Sequence, residues 1–468
     1  MIYTYKLLPF YFDTIAEKEV MVNEVGDMLI LPSGTVPAIV NKKVEPESDL
    51  YKTLHANFFI TDQSVHPLFE VLIARLAARK KHLFSRASLH IFVLTLRCNQ
   101  KCCYCQASSR YKEADKFSMS RESLDYAIDL MFKSNSQQLT MEFQGGEPTL
   151  ELDLLKYGVE RAHELNYRYK KELTYVVCTN CVNVTEEFIN FCKKYDIIIS
   201  SSLDGPQELH DTNRGMNGSY KRVKAAFNKI RTNLGHGKLS ALMTTSERSL
   251  DYPKEIIDEY VESGFSNIFL RPLNPYGKAL DTNDWETYTN KFISFYKQAL
   301  YYIIEINYTG KFFREEYATI ILRKILTSYD GGFVDLQSPA GCIQSVLVYN
   351  YDGKVYCSDE SRMLAENGID EFCLGLLSDE YEKLIYGEKA KHIAMVSSNE
   401  CVAGCSDCVF KSYCGADPIR NFTTQNDIYG NRPFSLFCKK NKEIISYLIE
   451  LIIKKPDFVL PIFKKWIK

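Results

Sequence analysis

The sequence carries no surplus of positive charge: 57 Lys plus Arg stand against 59 Asp plus Glu over 468 residues. That balance excludes a broad electrostatic grip on nucleic acid, which needs a basic excess to neutralise phosphates. Residues 1–12 lack a charged start followed by an apolar run, so no secretory signal is expected. Long hydrophobic runs are missing too. The most apolar late stretch, 444–453, is too short to cross a bilayer and is interrupted by Glu450. No transmembrane segment and a cytoplasmic location are therefore expected. Internal repeats and low-complexity tracts are also absent, and 46% hydrophobic residues are enough for a globular core.

Cysteine is plentiful. Fifteen is an odd number, so the thiols cannot all pair, and a reducing compartment disfavours disulfides in any case. Four cysteines fall within 98–105, and five of the last six lie between Cys373 and Cys414. Thiols clustered in this way read as metal ligands.

The length suggests about three domains. Residues 1–85 read as a separate module. Strand-like stretches at 5–12 and 19–31, with a turn at Gly26 and Asp27, precede helices at 35–41, 49–57 and 64–78. This mixture resembles the winged-helix modules that bind leader peptides in peptide-maturation enzymes, and a cap on the main domain is the alternative. Residues 86–283 alternate strand-like runs (89–96, 139–143, 173–177, 197–201, 239–244, 267–270) with helical ones (121–133, 152–165, 186–194, 220–233, 254–262). The pattern predicts an α/β fold with a partial (β/α)6 barrel of the TIM type. A helical bridge at 284–335 follows, with Tyr288, Phe292, Phe295, Tyr296 and Leu300 near helical spacing, read as packing. Residues 336–440 are loop-rich and cysteine-rich. Residues 441–468 form a terminal helix with a basic tail (Lys454, Lys455, Lys464, Lys465 and Lys468), read as a solvated amphipathic cap and not a membrane contact.

Each suspicious motif falls at the C-terminal end of a predicted strand, where the loops of parallel α/β folds converge on ligands. Cys98, Cys102 and Cys105 follow the first strand. Each can take one iron of a cuboidal cluster, leaving a fourth iron open. Zinc is the alternative, but it wants a fourth ligand, and the nearest histidine in sequence, His90, lies inside the strand. Cys103 reads as a bystander. Gln144-Gly145-Gly146-Glu147-Pro148 ends the second strand, with bare glycine backbone open to close approach. Thr179-Asn180 ends the third strand. Ser202-Leu203-Asp204-Gly205-Pro206 ends the fourth and is followed by His210, Asp211 and Arg214.

The Cys-x3-Cys-x2-Cys spacing, with an aromatic residue before the last cysteine, resembles that of radical S-adenosylmethionine enzymes, and the likeness extends over 88–440. It implies that S-adenosylmethionine binds a [4Fe–4S] cluster on the three thiolates and is cleaved to a 5′-deoxyadenosyl radical. It places Gly145, Gly146 and Glu147 at the methionine amino group. Ser202 and Arg214 fall in the ribose and carboxylate region, the backbone near Tyr104 lies at the adenine, and Asn180 and Asp204 are also expected to bind the cofactor. A low-potential electron donor of the flavodoxin or ferredoxin type is implied as a partner.

Cys405, Cys408, Cys414 and Cys438 make a four-thiolate set that suits an iron–sulfur cluster or a zinc knuckle. They resemble the second auxiliary [4Fe–4S] site of the SPASM extension. Cys342 and Cys357, with Gly353 between them, resemble the opening of the same extension and its first auxiliary site. There the sequence departs from the pattern: three residues instead of four separate Gly353 from Cys357, and Pro418 stands where a cysteine is expected. One or two auxiliary clusters follow. The first is either open or completed by Cys401, Cys373 or Asp417, with Cys401 the softer ligand. Cys178, Cys181 and Cys192 read as small packing residues. Asp359, with Glu360 second, is the implied base that removes a substrate proton.

Within the class, the Leu7-Leu8-Pro9-Phe10 opening, the stretch from Asp352-Gly353-Lys354-Val355-Tyr356 to Asp359-Glu360-x-Arg362-Met363-Leu364, and Cys414-Gly415-Ala416-Asp417-Pro418 resemble the radical maturase of the His-Xaa-Ser peptide systems. The substrate implied is a ribosomally made precursor peptide, and the product a modified side chain or a carbon-linked ring of the cyclophane type. The rivals are an anaerobic sulfatase-maturating enzyme and a non-enzymatic iron–sulfur or zinc protein.

Overall fold

The computed structural model describes residues 3–62, 68–81, 83, 87–111, 117–280, 284–328 and 332–468. Residues 84–86 and 281–283, where the sequence pattern divides module from barrel and barrel from bridge, lie outside the described residues. So does the start of the helix expected over 64–78.

The N-terminal residues fold as an antiparallel meander of β1 (Phe10–Ile15), β2 (Lys18–Asn23) and β3 (Met28–Pro32), followed by helices α1 (Thr35–Val40), α2 (Asp49–Ala56) and α3 (Leu68–Arg79). Five residues of β2 are buried, which makes it the middle strand of the three.

The barrel elements alternate as β4 (Leu89–Thr95), α4 (Arg121–Phe132), β5 (Gln138–Gly145), α5 (Leu152–Tyr169), β6 (Glu172–Cys178), α6 (Glu186–Lys194) and β7 (Ile198–Ser202). Then come α7 (Gln207–Arg214), α8 (Ser219–Leu234), β8 (Leu239–Leu242), α9 (Pro253–Glu262) and β9 (Asn267–Ile268). Helix α6 shows why these segments are helical. The Thr185 hydroxyl accepts from Phe188 N, Glu186 and Glu187 sit in the first turn, and Lys193 and Lys194 sit in the last. Its apolar face, Phe188, Ile189, Phe191 and Cys192, is buried.

The helical bridge and the C-terminal region supply α10 (Trp285–Tyr308), β10 (Arg314–Glu315), α11 (Glu316–Leu326), β11 (Val346–Tyr349), β12 (Lys354–Tyr356), α12 (Asp359–Ala365) and β13 (Cys373–Leu376). They end with α13 (Tyr381–Tyr386), α14 (Glu388–Val396), α15 (Pro418–Gln425), α16 (Leu436–Lys454) and α17 (Pro456–Trp466). Tyr288, Phe292, Phe295, Tyr296 and Leu300 are buried along α10.

One sheet organises the molecule, in the order β8-β7-β6-β5-β4-β11-β12-β13. From β8 to β11 neighbours run parallel, and β12 and β13 are antiparallel. Strand β4 is buried on both faces, as a parallel strand between helices should be: Phe92 and Leu94 face one apolar cluster, Ile91 and Val93 another.

Two expectations need correction. The sixth strand is only two residues long and pairs with β10; it meets the end of the fifth only at one parallel bridge, Thr245 to Pro272, where Thr245 N donates to Arg271 O. The continuous ladder of the barrel therefore has five strands, with the sixth attached at that bridge. The edge beside β4 is filled by β11, which the sequence pattern presents as loop. The winged-helix description of the N-terminal module is not carried by the fold comparison below. What the structure gives is a meander and three helices docked on residues 411–413. Lys411 Nζ reaches Glu24 Oε2 at 3.0 Å and Tyr11 OH at 2.8 Å, and the Tyr413 hydroxyl donates to Gly26 O at 2.9 Å.

Candidate functional site

A cavity of about 230 Å³ opens at the C-terminal ends of the barrel strands. Cys98, Cys102 and Cys105 all line it, with Tyr104 between them. Gly145 and Gly146 from β5, Asn180 after β6, Ser202 from β7 and Arg214 from α7 complete the ring.

Close backbone approach holds the cysteine loop. Gly146 N donates to Thr95 O at 2.7 Å and Glu147 N to Arg97 O at 2.8 Å. A Cβ on Gly145 would overlap Thr95 O, and one on Gly146 would overlap the carbonyls of Leu96 and Arg97. Gly145 also has φ +140°, which side chains disfavour. On the other side, α7 grips the loop through Cys103 N to Asn213 O at 3.0 Å and Lys101 N to Arg214 O at 3.3 Å.

Charge at the cavity is set by one buried pair. Arg214 donates from Nε to Asp204 Oδ2 at 2.9 Å and from Nη2 to Asp204 Oδ1 at 2.7 Å. The Tyr104 hydroxyl donates to the same Oδ2 at 2.6 Å, and Asp204 N donates to His210 Nδ1 at 3.3 Å. Burial is the largest influence and would raise the Asp204 pKa, but Arg214, His210 and the hydrogen bonds from Arg214 and Tyr104 together outweigh it, and the carboxyl lies below its ordinary value. Arg214 Nη1 lies 4.0 Å from Cys102 Sγ. Burial pushes the Cys98 thiol up to about 12 and Cys102 up to about 11, so these groups need a cation to become thiolates.

Two residues expected at the cofactor do not line the cavity. Asp204 is fully buried behind Arg214 and Tyr104. Glu147 is buried with its carboxylate committed to Thr149, Thr179 Oγ1 at 2.7 Å and Asn180 N at 2.8 Å. Both position residues that do line it. Cys178, read as packing, does line the cavity, because it ends β6 on the inward side; Cys103 is exposed. Gln144 and Thr179, from the motifs that end the second and third strands, also line this cavity, together with Ser200, Thr244 and Met363, whose chemistry does not mark them in the sequence. The alternation of β6 and β7 could have pointed to Cys178 and Ser200, whereas Met363 comes from a distant helix.

Helix α12 brings the proposed base residues to the barrel. Asp359 Oδ1 pairs with Arg362 Nη2 at 2.6 Å, and the same guanidinium donates to Ala107 O at 3.2 Å. Asp359 acts electrostatically on Glu142 and on Cys178. Glu360, beside it on the helix, lies in the field of Asp335, Asp359 and Arg271, and burial followed by Asp335 and Asp359 pushes its carboxyl up to about 7.

The four C-terminal thiols of Cys405, Cys408, Cys414 and Cys438 lie in one another's field. Phe410 N lies 3.4 Å from Cys408 Sγ, Asn441 Nδ2 lies 3.4 Å from Cys414 Sγ, and Arg432 Nη1 lies 3.8 Å from Cys405 Sγ. Among the described residues no three His, Cys, Asp or Glu side chains converge on a single ion. A cubane asks for no such convergence, since each thiolate takes its own iron.

Of the residues expected to complete the first auxiliary site, Asp417 acts on both of its thiols, and Cys401 and Cys373 stand apart. Cys342 and Cys357 come together, but the strongest influences on them include Asp417 and Glu360 and neither Cys401 nor Cys373. Cys401 is exposed, and Cys373 lies on the outer strand β13 with its Sγ 3.5 Å from Gly375 O.

Residues 92–259 match the Radical SAM superfamily. This part of the chain is a radical SAM domain. The family's cofactors are S-adenosylmethionine and a [4Fe–4S] cluster, and the glycine-lined cavity with three thiols fits that pair in donor type. A cysteine-type anaerobic sulfatase-maturating enzyme of Clostridium novyi is 25% identical over 389 residues, covering 76% of this chain and 95% of the relative. The radical SAM cyclopropyl synthase TigE of Paramaledivibacter caminithermalis is 25% identical over 269 residues, 53% of each chain. Among solved structures, native anSMEcpe with bound AdoMet superposes with a TM-score of 0.64 at 19% identity, covering 81% of this chain and 100% of that one. Streptococcus suis SuiB bound to its precursor peptide SuiA superposes at 0.55 and 14%, covering 92% and 99%. These likenesses establish the partial-barrel fold. No helix among the described residues is long and apolar enough to cross a membrane.

Proposed function

We propose that this radical SAM enzyme modifies a ribosomally made precursor peptide by taking a hydrogen from one of its side chains. The observation that carries the reading is the convergence of Cys98, Cys102, Cys105, Gly145, Gly146 and Arg214 on one cavity. The three thiolates would hold the [4Fe–4S] cluster. The glycine backbone, Asn180, Ser202 and Arg214 would hold S-adenosylmethionine. When bound, the pair supplies a 5′-deoxyadenosyl radical.

The chain's own residues do the rest. Asp204 fixes the Arg214 guanidinium so that its remaining nitrogen faces Cys102 and the cavity. The backbone ladder from β4 to β5 keeps the cysteine loop and the glycines at a fixed separation. Asp359 stands nearest the barrel side of α12 and is the proposed proton acceptor, with Glu360 second. Cys405, Cys408, Cys414 and Cys438 are the proposed ligands of an auxiliary [4Fe–4S] cluster. Peptide maturation gains support from SuiB, whose solved structure is bound to a precursor peptide. The meander and three helices of the N-terminal module are the proposed leader-binding element, and a flavodoxin or ferredoxin the proposed electron donor. A ring of the cyclophane type, as in the His-Xaa-Ser systems, is the proposed product. The C. novyi relative favours a second reading, in which the product is formylglycine.

The test is anaerobic reconstitution followed by S-adenosylmethionine and a strong reductant. 5′-Deoxyadenosine should form, and the Cys98→Ala, Cys102→Ala, Cys105→Ala variant should form none. Release by that variant overturns the reading. With a peptide substrate, loss of two hydrogens supports a ring, and conversion of Cys or Ser to an aldehyde supports the second reading.

A further inference from the structure

The place where a first auxiliary cluster is expected has the wrong residues for one. A cubane held by protein alone wants four thiolates, and this site offers two, Cys342 and Cys357. The two other cysteines within sequence reach point elsewhere, Cys401 on the surface and Cys373 on β13.

What surrounds the two thiols is negative. Asp417 and Glu360 act on both, and Asp335 acts on Glu360. Carboxylates beside a thiol disfavour the thiolate that iron requires, and a cluster on thiolates is itself anionic. Asp417, adjacent to the Pro418 that replaces a cysteine, caps α15 by accepting from Arg420 N at 2.9 Å, so its side chain has a structural task. Facing these acids, the Tyr276 hydroxyl is buried without a hydrogen-bond partner. The polar group left open there is a phenol, which suits carboxylates better than it suits an inorganic sulfide cage. Arg271, Arg420 and Lys440 supply the opposing charge from the segment after β9, from α15 and from α16.

We infer that the first auxiliary position carries no iron–sulfur cluster in this protein, and that the chain holds two cubanes, at Cys98/Cys102/Cys105 and at Cys405/Cys408/Cys414/Cys438. A carboxylate and phenol group of Asp335, Glu360, Asp417 and Tyr276 stands in its place, one turn of α12 from the Met363 that lines the S-adenosylmethionine cavity. The position contributes proton-holding side chains and no electron relay.

This inference rests on the iron–sulfur reading above, and iron counting separates the two. The full chain, reconstituted anaerobically, should contain about eight irons with matching acid-labile sulfide. Cys342→Ser with Cys357→Ser should leave that count unchanged, while Cys405→Ser with Cys408→Ser should lower it by about four. A wild-type count near twelve, or a loss of about four in the Cys342/Cys357 variant, overturns the inference and leaves the cluster reading standing. A protein that takes up no iron overturns both. The wild-type count is decisive if a variant does not fold.

Discussion

Arg214 holds Asp204 through two parallel hydrogen bonds of 2.9 and 2.7 Å, and Asp204 has no solvent exposure. A carboxylate buried so completely is tolerable only while its cation stays. Arg214→Met should therefore lower stability by about 3–5 kcal/mol. The double variant Arg214→Met, Asp204→Leu should recover much of that loss without recovering S-adenosylmethionine binding. Denaturant unfolding of the iron-free protein and calorimetric titration with S-adenosylmethionine check the two halves. A double variant as unstable as the single one would show that the pair does not act as a unit.

The glycines of the β5 loop are required by contact, not by flexibility alone. Gly146→Ala drives a methyl group into the carbonyls of Leu96 and Arg97, and relief can come only by moving the cysteine loop. We expect a cost of about 1–3 kcal/mol and loss of 5′-deoxyadenosine formation. Thermal unfolding and product chromatography measure both, and an alanine variant with ordinary turnover contradicts the close approach.

Stability should depend on pH through two opposing groups. Burial lowers the His210 pKa to about 4 from an ordinary 6.5, so its contribution is complete above pH 6.5 and is lost as pH falls toward 4. Burial raises Glu315 to about 7 from 4.5, so its ionisation destabilises the fold as pH rises from 4.5 through 7. The slopes oppose between pH 4.5 and 6.5. His210→Gln should remove about 1.4 kcal/mol per pH unit of acid sensitivity there, and Glu315→Gln should leave a steeper acid loss than the wild type shows. Unfolding midpoints across that window test the signs.

How much of this was legible in the chain depends on how local the cause is. The cysteine loop and Gly145-Gly146 are visible because their chemistry lies in adjacent residues. Asp204 and Arg214 stand out in sequence too, but that one stands behind the other appears only when α7 folds back over β7. Cys178 looked like packing because a thiol at a strand end carries no signal for the face it meets. Strand β11 was unreadable as a barrel neighbour, since its partner β4 lies more than 250 residues earlier in the chain. The sixth strand was over-read for the opposite reason: its composition suits a strand, and tertiary pairing shortens it.

The N-terminal module is tied to the C-terminal thiols through Lys411 and Tyr413, which lie between Cys408 and Cys414. Tyr413→Phe removes one hydrogen bond to Gly26 O and should cost about 1 kcal/mol. Lys411→Met removes the cation between Glu24 and Tyr11, leaves Glu24 the Tyr11 hydroxyl, and should cost a similar amount. Both should hasten protease cleavage after α3 while S-adenosylmethionine binding stays as in the wild type. Equal cleavage rates in variant and parent would count against the tie.

The parallel pairing of Val346–Tyr349 with Leu89–Thr95 has a practical side. Radical SAM domains are tempting to excise, but here the opening strand of the barrel borrows a flank from a segment near the chain's far end. A fragment ending before that segment leaves a row of main-chain amides and carbonyls bare on an apolar strand, inviting other molecules to complete it. Insolubility of such a fragment would then be a property of the cut and would say nothing about the chemistry of the intact enzyme.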